Sequence, residues 1–138
     1  MPNITIPGHF SGLEKIREFV GKIAQKAGMN ESDIYAIQLA VDEACSNIIE
    51  HAYGGEGLGA IECTCSIDNG SIKIILRDFG EPFEPERIPP MQKDVPLQQL
   101  KPRGAGMYLM NHLMDEVSFE FDKESGNKVT MVKYFNKE

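Results

Sequence analysis

No apolar run in the 138 residues approaches the ~20 that a membrane-spanning helix needs. The opening stretch, Met1-Pro2-Asn3-Ile4-Thr5-Ile6-Pro7, has neither a basic segment nor an apolar signal core, so the cytoplasm is the expected compartment. Positive charge is scarce. Fourteen Lys and Arg face 21 Asp and Glu, a net charge of −7. That argues against direct nucleic-acid binding, which needs a basic field. A nucleotide is not excluded, because backbone N–H groups and Mg²⁺ can offset phosphate charge. Three cysteines do not make a disulfide framework. His9, His51 and His112 do not cluster, and no zinc spacing is found. The P-loop pattern G-x-x-x-x-G-K-[ST], the dinucleotide pattern G-x-G-x-x-G and the protein-kinase loop motifs are all absent.

What remains is the composition of an ordinary globular protein, 41% hydrophobic and 25% charged. Its length fits one domain with one core. Ile4 to Ile6 forms a short strand ended by Pro7-Gly8. Leu13, Ile16, Phe19, Val20, Ile23 and Ala27 predict a helix from about Gly12 to Ala27, with Ser11 as N-cap and Gly28 as the stop. A second helix begins at Asn30 and buries Ile34, Ile37, Val41, Ala44, Cys45, Ile48 and Ala52. Gly54-Gly55 ends it. Two strands, Ala60 to Asp68 and Ser71 to Asp78, meet at Asn69-Gly70, a strong hairpin signal. Cys63 and Cys65 share a strand face with Ile61 and Ile67. They are either small buried hydrophobes or a metal pair.

From Gly80 to Pro102 the periodicity breaks down. Six of the eight prolines lie there. A loop this long in a compact domain is a lid, a binding loop or disordered. Helical spacing returns from Ala105 to about Asp115. Val117 to Phe121 and Lys128 to Phe135 form a last hairpin, turning at Glu124-Ser125-Gly126-Asn127. Strands grouped in hairpins predict an α+β fold, with a mainly antiparallel sheet covered by helices on one face.

Four places can carry chemistry. Glu43 and Asn47 stand four residues apart on the second helix, hence one turn apart on one face. A carboxylate there can act as a base, and an amide oxygen can ligate Mg²⁺. A solvated helix face is the plain alternative, but a mid-helix Asn lacks a propensity rationale. Asp78-Phe79-Gly80 ends a strand. Asp78 can accept from an exocyclic amine such as adenine's, or simply terminate the strand in a turn. Arg103-Gly104-Ala105-Gly106-Met107 leads into a helix whose first N–H groups can meet an anion, or it is a flexible helix start. Thr130 is an ordinary β-former or bonds a base edge or a water.

In order and spacing these four signals resemble the Bergerat-fold ATPase superfamily of gyrase B, heat-shock chaperones, histidine kinases and mismatch-repair proteins. The stretches Ala40-Val41-Asp42-Glu43-Ala44 and Asn47-Ile48-Ile49-Glu50-His51-Ala52-Tyr53 narrow this to a resemblance to the anti-sigma-factor serine/threonine kinases of bacterial partner switching. The resemblance covers about Ile4 to Phe135. It implies one histidine-kinase-like ATPase domain over 1–138, a two-layer α/β sandwich with a mixed, mainly antiparallel sheet, and a lid over about 81–105. It implies ATP and Mg²⁺ as cofactors. Asn47 would ligate the metal and Glu43 would be the general base. Asp78 would bond the adenine amine, with Gly80 making room for the base and Thr130 assisting. Arg103, Gly104, Gly106 and Met107 would lie near the phosphates. The implied partners are an anti-anti-sigma protein carrying the acceptor serine or threonine, a sigma factor, and a second copy of the chain. Two other functions stay open. One is a nucleotide-gated adaptor with little transferase activity, in which exposed residues such as Arg17 matter more. The other is a detached histidine-kinase catalytic domain.

Overall fold

A computed structural model describes residues 1–82, 106–122 and 124–135. Five strands form one sheet: β1 (Asn3–Pro7), β2 (Ala60–Asp68), β3 (Ser71–Asp78), β4 (Glu116–Asp122) and β5 (Gly126–Tyr134), in the order β1-β2-β3-β5-β4. Every described pair is antiparallel, so the parallel component that a mixed sheet would need is not among them. Among the described residues, three helices accompany the sheet: α1 (Leu13–Lys26), α2 (Glu31–Asn47) and α3 (Gly106–Leu113).

Each strand alternates. Ile61, Cys63 and Cys65 of β2, Ile72, Ile74 and Leu76 of β3, and Val129 and Met131 of β5 point to the helices and are buried. Against them pack Ile16, Val20 and Ala24 from α1, Ile37, Val41 and Ala44 from α2, and Ile48 just after it. Each fully buried aliphatic side chain contributes about 1.5–3 kcal/mol, so this single layer of contact supplies the main cohesion. Cys63 and Cys65 sit inside it at 0% exposure. Burial pushes both thiols up to about 12, which keeps them protonated and weakly nucleophilic. They are small hydrophobes. Ile67, expected on the same buried face, lies 40% exposed at the strand end.

The helix ends follow their sequence signals, with one exception. Gly28 takes φ +88°, and Met29 N–H reaches back to the Ala24 carbonyl at 3.1 Å, closing α1 as a left-handed glycine does. Ser11 is not the cap of α1. It lies in a short 3-10 turn, Phe10–Gly12, and Gly12 precedes the helix with no side-chain cap bond. The Asn30 side chain accepts from Asp33 N–H at 2.8 Å and caps α2. Arg17 of α1 bonds Asp42 of α2 at 2.9 Å, tying the two helices together at their surface. Asn69 and Gly70 both have positive φ, 45° and 81°, the geometry of a tight hairpin turn between β2 and β3.

Candidate nucleotide site

α2 carries Glu43 and Asn47 on its partly buried side. Directly after Asn47 the helix widens into a π-turn, Ile48–Ala52, in which Tyr53 N–H bonds the Ile48 carbonyl at 3.0 Å. Such single π-turns inside helices often mark functional positions. Here the widened turn delivers two groups to the end of β3. The Ala52 carbonyl accepts from Glu81 N–H at 2.8 Å. The Tyr53 hydroxyl accepts from Phe79 N–H at 3.0 Å and donates to the Ala60 carbonyl at 2.5 Å. The Asp78-Phe79-Gly80 turn is therefore pinned to the helix layer by consecutive residues. Gly80 is required by that approach, since a Cβ there would lie 2.5 Å from the Ala52 oxygen. The close neighbour of Gly80 is thus protein backbone.

Asp78 is buried, at 3% exposure, on the helix-facing side of β3. Its Oδ1 accepts from Gly80 N–H and from Asn127 Nδ2, both at 2.9 Å. The Asn127 amide also donates to the Gly80 carbonyl at 3.0 Å. Both bonds fall on one oxygen, and Oδ2 receives none from the described residues. Burial raises the Asp78 pKa, against the lowering effect of the Asn127 and Gly80 bonds. The result is an anchored, poorly solvated acceptor at the wall of a cleft. Ala44 and Asn47 of α2, Ile48 of the π-turn, Met110 of α3, and Phe119, Phe121, Asn127, Lys128 and Val129 of the last hairpin line the same cleft.

The resemblance implies that Thr130 assists Asp78 at the base. The register places Asn127 beside Asp78: the two pair, whereas Thr130 pairs with Ile75 and Ser118. Three residues along a strand is an odd step, so the Thr130 side chain lies on the opposite face of the sheet. The signal was present in the alternation. Counting back from buried Met131 and Val129 reaches Asn127, but Gly126-Asn127 reads as a turn. Both residues already belong to β5. Gly126 has φ +93°, and a Cβ there would lie 2.8 Å from the Asp78 carbonyl.

Glu43 sits one turn before Asn47 and is half-buried, but it is not among the residues lining this cleft. Burial raises its pKa, and the neighbouring charges of Asp42 and then Glu50 add to the rise. A carboxylate so placed is a better proton acceptor than a solvated one. Gly106 opens α3 and Met107 follows it; their side chains, with Arg103, Gly104 and nearly all of the expected lid, lie outside the described residues. No cluster of three or more His, Cys, Asp and Glu side chains suited to a metal occurs among the described residues. Among them, no helix is long and apolar enough to cross a membrane.

The sequence pattern of the histidine kinase-like ATPase domain matches residues 7–133. Serine-protein kinase RsbW from Bacillus licheniformis is 35% identical over 127 residues, covering 89% of this chain and 78% of that protein. The chain belongs to the histidine kinase-like ATPase family. RsbW of Staphylococcus aureus is 34% identical, with coverage of 96% and 86%. The resemblance to the anti-sigma-factor serine/threonine kinases is borne out: by family, this ATPase domain is of that type. Two solved structures share the fold. A Mycobacterium tuberculosis structure of RsbU and RsbW domains superposes with a TM-score of 0.64 at 16% identity; it covers all of this chain, which spans 34% of that one. The catalytic domain of histidine kinase ThkA gives 0.54 at 14% identity, with coverage of 98% and 97%.

Proposed function

We propose that this chain is an ATP-dependent protein kinase that transfers the γ-phosphoryl group to a serine or threonine of an anti-anti-sigma protein. In its other state it holds a sigma factor, and it works as a homodimer in the cytoplasm, with one ATPase domain over 1–138 and a lid over about 81–105. One observation supports the nucleotide reading best. Asp78, held by one oxygen, and Asn47, an oxygen donor on a helix, line a single cleft.

Asp78 Oδ2 accepts the adenine amine, and Asn127 keeps the carboxylate aimed at it. Asn47 would hold the phosphate-bound metal, and the donor fits: an amide oxygen on the partly buried side of the helix is a hard ligand suited to Mg²⁺. Bound Mg²⁺ would neutralise charge on the β- and γ-phosphates. Glu43 takes the proton from the acceptor hydroxyl while its oxygen bonds to the γ-phosphorus and the bond to ADP breaks. Transfer of this kind depends mainly on positioning, so the base contributes about 10²–10⁴-fold. Arg103, Gly104, Gly106 and Met107 complete the phosphate end.

The experiment is transfer of labelled γ-phosphate from ATP to the cognate small acceptor protein. Acid-stable phosphoserine or phosphothreonine is the expected product. Acid-labile label on a histidine would assign a histidine-kinase module. ATP binding without transfer would assign a nucleotide-gated adaptor.

A further inference from the structure

We propose that Phe121 is the base-stacking residue of this site and sets its preference for purines. The inference rests on the reading of the cleft as a nucleotide site. Asp78, Asn127 and Phe121 form one cross-strand row over β3, β5 and β4. They point to the helix side, because the row alternates with the outward row of Arg77, Lys128 and Glu120. Phe119 and Phe121 stack, with ring centroids 6.1 Å apart and planes 14° from parallel. Phe119 packs at the edge of the core, so the inner ring fixes the outer one. Phe121 is 38% exposed yet lines the cleft that contains Asn47 and Asp78.

An exposed phenylalanine is by itself ordinary. This one is held in plane at the open end of a row whose other end is the proposed base acceptor. The row spans two strand spacings, about 9.5 Å. A two-ring base bonded to Asp78 reaches further across it than a one-ring base, and an aromatic face at the far end stacks on what arrives. Asn127, between them, holds Asp78 and closes the floor.

The test measures dissociation constants for Mg·ATP, Mg·CTP and Mg·tripolyphosphate with the full chain. Phe121→Leu keeps apolar bulk and removes the π-face; it should weaken ATP about 10-fold, in line with base–aromatic stacking elsewhere. CTP should weaken less, and tripolyphosphate, which has no base, should be unaffected. Phe121→Tyr should restore ATP binding. Wild-type ATP affinity in Phe121→Leu, with loss in Asp78→Asn, would overturn the stacking role and leave the nucleotide site intact. Equal weakening of ATP and tripolyphosphate would reduce Phe121 to a packing residue. Unchanged ATP affinity in both variants would remove the site and this proposal with it.

Discussion

Asp78 and Asn127 face each other across neighbouring antiparallel strands, with the Asn127 amide 2.9 Å from Oδ1 of the carboxylate. Among the described residues, the Asn127 amide and the Gly80 N–H both meet Oδ1. The pairing also places a charge where water is scarce, so the site is held at a cost in stability.

That cost can be measured. The folded-state pKa of Asp78 lies above its unfolded value, so the folded protein holds the proton over a wider range. Stability therefore falls as pH rises through that window, and at neutral pH the buried charge is destabilising. Asp78→Asn keeps the Oδ1 acceptor and removes the charge. Thermal unfolding should show an equal or higher Tm at pH 7, while ATP affinity drops at least tenfold because an amide donor meets the adenine amine. A lower Tm would contradict the burial argument.

Removing the other partner has the opposite effect. Asn127→Ala leaves Asp78 buried without its side-chain donor, at a loss of about 1–3 kcal/mol. Chemical denaturation should show this. In the double variant with Asp78→Asn the loss should shrink, because no charge remains to be compensated.

Tyr53→Phe removes one oxygen and two hydrogen bonds, to Phe79 N–H and the Ala60 carbonyl. The ring keeps its packing against Gly59. The KM for ATP should rise several-fold, with kcat little changed, since the hydroxyl positions the turn that carries Asp78 and does not touch the reacting phosphate. A fall in kcat at unchanged KM would contradict that role.

Glu43 supplies a pH signature. Its pKa is raised by burial, then by Asp42 and Glu50, so the kcat profile should fall on the acid side at a higher pH than a solvated glutamate would give. Glu50 is exposed. Glu50→Gln removes one neighbouring charge and should move this acid limb to lower pH, as should added salt. Glu43→Gln should lose about 10²–10⁴-fold in transfer while ATP still binds.

Much of this was legible in the sequence, for physical reasons. Asn69-Gly70 demanded positive φ at two successive residues, and Asn30 with Asp33 marked a helix start. The α2 stripe followed from 3.6-residue spacing. The π-turn after Asn47 did not, because an extra residue per turn leaves Ile48, Ile49 and Ala52 all buried and the apolar pattern unbroken. Asn127 is hidden because glycine beside asparagine reads as a turn, and only cross-strand register reveals what it meets. The same register moved Thr130 to the far face. Local signals fix elements; a site assembled across β3, β5 and α2 depends on pairing that no local signal encodes.

The account is tested most directly by a crystal structure with Mg²⁺ and a non-hydrolysable ATP analogue. It predicts the adenine amine on Asp78 Oδ2, the metal on the Asn47 amide oxygen, and the γ-phosphate on the side of α2 that carries Glu43. A nucleotide bound elsewhere, with Asp78 and Asn47 untouched, would contradict it.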